Sequence, residues 1–141
     1  MKVLNANAVI RYLLNDIEDQ ASAVADAIRN GSVMTTPEVI AEVVYVLSGY
    51  YNYSRNDVSW FIHSLLLDVQ VDNTKALRYA LGVFNQTNLD FVDCLMVAYH
   101  KVLGIDVFSF DKKLNSTLNK ELHIYQIDNP PDDIDEAHLP E

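Results

Sequence analysis

Short apolar runs alternate along this chain with longer stretches in which apolar residues recur every three or four positions. Lys2–Asn5 reads as a buried strand. From Ala8 to Leu14, the apolar positions Val9, Ile10, Leu13 and Leu14 have helical spacing. Glu18–Arg29 reads as a second helix, stopped by Asn30-Gly31. Ser32–Thr35 is short and favours strand. Thr35, Thr36 and Pro37 open a third helix that runs to about Gly49, with Thr35-x-x-Glu38 matching a capping box. Another helix begins near Ser54 or Asn56 and carries Val58, Phe61, Ile62, Leu65 and Leu66 on one side. Val69–Val71 is a weak strand or turn, and Thr74–Phe84 and Phe91–Leu103 are helical, the latter ending at Gly104. Asp106–Phe110 reads as a fully buried strand and Ile124–Ile127 as a last short one. Strands separated by helices imply parallel pairing through crossovers. The expected fold is α/β, a three-layer α/β/α sandwich around a mostly parallel central sheet.

In such sheets, sites form beyond the carboxyl ends of the strands. Asn5 and Asp111 both follow apolar strand-like runs. Asp93 stands in the first turn of its helix, and Glu42 stands near the start of its own. Glu42 is the only charged residue between Glu38 and Arg55, set among Ile40, Val43, Val44 and Leu47. A carboxylate buried without a partner is costly, so Glu42 is expected to need compensation. Each of the others has a plainer explanation. Asn5 and Asp111 suit turns, Asp93 gains from the helix dipole after the N-cap candidate Asp90, and Glu38 is accounted for by capping. Taken together, four oxygen-bearing side chains without His or Cys point to Mg²⁺ or Mn²⁺. Carboxylates holding such ions are a phosphodiester-cleaving arrangement.

Composition narrows this picture. A length of 141 residues, half of them hydrophobic, suits one domain with a real core. No apolar stretch reaches the roughly 20 residues that span a bilayer, and the N-terminus lacks a secretory pattern. A single cysteine, Cys94, excludes an internal disulfide and fits a cytoplasmic setting. The four scattered histidines do not have zinc-site spacing. Net charge is −10, but six of the twenty acids lie after Ile127, leaving fourteen against ten basic residues before it. The expected division is therefore a domain over 1–127 and a flexible acidic tail over 128–141. No basic footprint for nucleic acid is present, so binding RNA would rely on local cations. Arg11, Arg55, Lys112 and Lys113 are the candidates, although such residues are more often solvated helix or loop ends.

The segments VLNANAVIRYLLND, PEVIAEVVYVL, LDFVDCLMVAYHKVLG and VFSFDKKL resemble, in order, the successive blocks of PIN-domain proteins. They are most similar to the VapC-like ribonuclease toxins of toxin–antitoxin pairs. The resemblance implies that the positions of Asn5, Glu42, Asp93 and Asp111 bind Mg²⁺ or Mn²⁺ and support RNA hydrolysis. It implies that Ser109 assists them and that Asn7 orders the first loop. It also implies an RNA substrate, a small antitoxin whose apolar helix lies against the aromatic-rich region around Tyr45–Phe61, and a homodimer.

Asn5 departs from the family's Asp. An amide oxygen can still ligate a metal, but it brings no charge, which should weaken ion binding and activity. Natural loss and deliberate inactivation both explain it, and the three intact acids weigh toward the second. The alternative function is a non-catalytic PIN-fold module that binds RNA or an antitoxin-like partner. A haloacid-dehalogenase-like phosphatase stands lower, because Asn5 cannot act as the carboxylate nucleophile. A receiver domain stands lower too, because the lysines follow Asp111 instead of occupying their own strand end. Cys94 reads as a core thiol.

Overall fold

A computed structural model describes residues 1–124. The chain divides into two compact units, Met1–Asp72 and a second beginning at Asn73. The first is α/β, with the order β1 (Lys2–Val3), α1 (Ala6–Leu14), α2 (Glu18–Arg29), β2 (Val33–Thr35), α3 (Pro37–Gly49), α4 (Arg55–Asp68) and β3 (Gln70–Val71). Its strands form a parallel sheet in the order β1-β2-β3, with Lys2 opposite Val33 and Thr35 opposite Val71. Helix pairs cross over between successive strands, as parallel pairing requires. The expected parallel α/β class is the class observed.

Several starts and stops follow from local chemistry. Asn15 and Gly31 take left-handed backbone after α1 and α2, with φ of 51° and 75°. Short polar side chains and glycine tolerate this region best. Pro37 opens α3 behind Thr36, whose hydroxyl accepts the Val39 amide at 3.2 Å. The cap therefore sits one residue later than the expected Thr35 capping box. Thr35 is fully buried instead, and its Oγ1 donates to the Leu4 carbonyl at 2.8 Å. Losing that donor while keeping the shape strands a carbonyl, so Thr35→Val is expected to cost about 1–3 kcal/mol. Urea unfolding would read the loss as an earlier midpoint. Val9, Ile40, Val43, Leu47, Val58, Ile62 and Leu65 are all fully buried in this unit.

The second unit, in the residues described, is helical: α5 (Thr74–Gln86), α6 (Phe91–Leu103) and α7 (Lys112–Asn119). α5 and α6 are packed together, with Leu77, Leu81 and Val97 fully buried. Gly104 ends α6 at φ 69°. Cys94 is buried, with its thiol 3.7 Å from the Leu89 carbonyl, as a core thiol should be. Gly82 lies inside α5 under the branched side chain of Ile124, where a Cβ would collide with Ile124 Cγ2. Replacing a helical glycine by alanine ordinarily gains roughly 1 kcal/mol. Gly82→Ala is expected to forfeit that gain and lower the melting temperature.

Two expectations about strands are corrected. β1 is exposed, not buried, and among the described residues it pairs on one side only, with β2. Asp106–Phe110 forms no strand, and Phe108 and Phe110 are 89% and 90% exposed. A strand needs a neighbour for its amides and carbonyls, and every strand among the described residues lies in the first unit. Lys112–Asn119 is a helix that the pattern did not announce. Of the last expected strand only Ile124 is described, and it is not in a strand. The rest of that segment and the tail boundary at 127/128 lie outside the described residues. No helix among the described residues is long and apolar enough to cross a membrane.

Candidate functional site

In the first unit, Asn5 follows β1 and caps α1. Its backbone is extended, and its Oδ1 accepts the Ala8 amide at 2.9 Å. Asn is among the best residues for this position, and both Asn5 and Asn7 are exposed. Glu42 is exposed too. Ile40, Val43, Val44 and Leu47 turn inward, while Glu38, Glu42 and Tyr45, at successive helical steps, face out. The expectation that Glu42 is hemmed in by its apolar neighbours is therefore corrected. Helix periodicity separates them onto another face. No hydrogen bond or ion pair among the described residues joins Asn5 to Glu42. Arg11, a candidate for RNA phosphates, is already engaged. Its guanidinium meets Asp16 at 2.9 Å and the Tyr51 hydroxyl at 2.8 Å, with its side chain only 11% exposed.

In the second unit the structure brings acids together. Asp93 is half-buried in the first turn of α6, and Asp111 is the exposed N-cap of α7, its Oδ1 accepting the Leu114 amide at 2.8 Å. Burial pushes the Asp93 carboxyl above the usual carboxylate range, and repulsion from Asp90 and Asp111 and a hydrogen bond with Asp90 add to the rise. Lys113 opposes it and also donates to the Asn88 carbonyl at 3.2 Å. Asp90 holds the N-cap position of α6 without a side-chain cap bond. Its carboxylate acts on Asp93 instead. The three-residue spacing of Asp90 and Asp93 was the available sign, since residues that far apart are neighbours on a helical turn.

Ser109 lies against Asp111, its Oγ accepting the Asp111 amide at 2.9 Å. Its carbonyl accepts from the Asn115 side chain at 2.8 Å. Asn115 has no counterpart in the sequence reading, because α7 was not foreseen.

Oxygen-only donors suit a hard divalent ion, and a carboxylate whose proton affinity is raised by its neighbours is where a cation lowers the energy. In that chemical sense Asp93 and Asp111 fit Mg²⁺ or Mn²⁺. Among the described residues, no three His, Cys, Asp or Glu side chains converge as a group that could hold a metal ion. The acids influence one another without closing into a coordination shell.

A VapC ribonuclease of Aquifex aeolicus (strain VF5) is 26% identical over 133 residues, covering 89% of this chain and 98% of that relative. No solved structure matches. The PIN domain family model matches residues 2–118 and so takes in Asn5, Glu42, Asp93, Ser109 and Asp111. With that match spanning most of its length, the chain belongs to the PIN-domain family.

Proposed function

We propose that this protein is a ribonuclease of the VapC type that hydrolyses RNA phosphodiester bonds with Mg²⁺ or Mn²⁺. The observation that carries the reading is the PIN-domain match over residues 2–118 in a chain similar to a VapC ribonuclease, and the rise of the Asp93 carboxyl beside Asp90 and Asp111 accords with it. Asp93 and Asp111 would hold the ion, with Glu42 and Asn5 added from the family pattern. Held there, a divalent ion would supply polarisation of the phosphate and activation of an attacking water. The chain's own residues orient and balance. Capping of α7 occupies one oxygen of Asp111 and leaves the other available. Ser109 fixes the Asp111 backbone. Lys113 tempers the negative charge at Asp93 without removing it.

An antitoxin partner, a homodimer and a reducing cytoplasm belong to the same proposal. A cavity of about 470 Å³ in the first unit, with Leu13, Trp60 and Phe61 but also Asn15, Ser64 and Asp68 among its walls, lies at one end of the aromatic-rich region proposed for the antitoxin. At its margin the Tyr12 hydroxyl donates to Asp68 at 2.9 Å. Burial, then that carboxylate, pushes the phenol up to about 12.

The test is RNA cleavage by the Asn5→Asp chain with Mg²⁺, with Mn²⁺ and with EDTA. Metal-dependent cleavage supports the reading, and its absence across varied RNA substrates removes it. The neutral Asn5 favours a second reading, a non-catalytic module that binds RNA or an antitoxin-like partner. That reading predicts retained binding without cleavage in the same variant.

A further inference from the structure

We infer that Asn115 is a positioning residue: its side-chain amide holds the Ser109 carbonyl and thereby sets the Asp111 carboxylate beside Asp93. The inference rests on the metal-site reading above and goes beyond it.

Residues 109–115 form a closed set of hydrogen bonds. Asn115 Nδ2 donates to the Ser109 carbonyl at 2.8 Å, and the Asp111 amide donates to Ser109 Oγ at 2.9 Å. The Asn115 amide donates to the Asp111 carbonyl at 2.9 Å, and the Leu114 amide donates to Asp111 Oδ1 at 2.8 Å. Only the first of these reaches back from α7 by a side chain beyond the helix's own first turn. The preceding segment depends on such ties, because strand pairing does not hold it and its large side chains, Phe108 and Phe110, are almost fully exposed. His100 Nδ1, 2.9 Å from the Ile105 carbonyl, secures the far end of that segment. Asn115 secures the end that carries the acid. The same helical turn also grips the other acid-bearing stretch, since Lys113 donates to Asn88 just ahead of Asp90 and Asp93. One turn of α7 therefore registers both stretches. Partners of this kind, which orient a ligating carboxylate without touching the ion, typically change metal affinity or activity by about 10–100-fold when removed.

The experiment compares Asn115→Ala and Asn119→Ala in the Asn5→Asp chain. Mn²⁺ alone is titrated by calorimetry, cleavage of a mixed-sequence RNA is resolved into kcat and KM, and melting is followed in EDTA. Asn119, near the end of α7, controls for general helix effects. Asn115→Ala is expected to weaken Mn²⁺ binding by about tenfold or more and to lower kcat with little change in KM. Its melting temperature should stay close to the parent's, and Asn119→Ala should behave as the parent in every measurement. Parental Mn²⁺ affinity and kcat in Asn115→Ala overturn the inference and leave the metal reading standing. A parent that binds no Mn²⁺ overturns both.

Discussion

Asn5→Asp is expected to raise metal-dependent RNA cleavage by about tenfold or more while leaving thermal stability almost unchanged. The two halves of this expectation come from different properties of one side chain. As a cap, Asn5 uses only its Oδ1, which accepts the Ala8 amide. A carboxylate accepts that bond equally well, and its charge at a helix N-terminus is favourable by about 0.3–1 kcal/mol. The fold therefore has no reason to prefer the amide. As a candidate metal ligand the position is short of one negative charge, and divalent-ion affinity follows ligand charge. Asn5→Ala separates the two roles, because it should lose the cap at a cost of about 1 kcal/mol and gain no activity. Initial cleavage rates with Mn²⁺, set beside melting curves for all three chains, read both effects. An Asn5→Asp chain no faster than the parent would show that the missing charge is not what limits the reaction.

Much of this architecture is legible in the chain because it is written locally. α2 and α6 have the limits that their periodicity and stop signals predicted, since Arg29 precedes Asn30-Gly31 and Leu103 precedes Gly104. The errors arise where local pattern says too little about surroundings. Apolar alternation in Asp106–Phe110 looks like a buried strand, but burial depends on a neighbouring strand that no local pattern reveals. α7 shows only Leu114 and Leu118 as an apolar pair. Asp111, weighed as a ligand and as a turn residue, is its N-cap. Glu42 misled in a different way. Its isolation in the linear sequence was real, but a helix places residues two apart on different faces, so apolar neighbours in the sequence did not bury it in space. Asp90 and Asp93 could be noticed together from spacing alone. Their company with Asp111 could not, because it depends on where α7 begins.

Removing the charge at Asp93 should move activity and stability in opposite directions. In a chain carrying Asn5→Asp, Asp93→Asn is expected to lower RNA cleavage by about a hundredfold or more, since a ligating group should matter at least as much as the groups that orient it. The same substitution should raise the melting temperature in EDTA at neutral pH. The Asp93 carboxyl is raised above its ordinary 3.8 by burial, then by Asp90 and Asp111, so the folded chain favours its protonated form. Stability from such a group is fully present below the ordinary value and is lost as pH rises through the folded one. Asparagine is neutral throughout and escapes that loss. The two chains should therefore converge in stability as the pH falls toward the ordinary carboxylate value and separate above it. Mn²⁺ should narrow the gap at neutral pH by stabilising only the chain with the carboxylate. Glu42→Gln should show no comparable gain in EDTA, because Glu42 is exposed. Melting followed from acid to neutral pH, with and without Mn²⁺, distinguishes relief of repulsion from damage to α6. A lower melting temperature for Asp93→Asn at neutral pH in EDTA would mean that its carboxylate supports the fold and is not held there against the fold's interest.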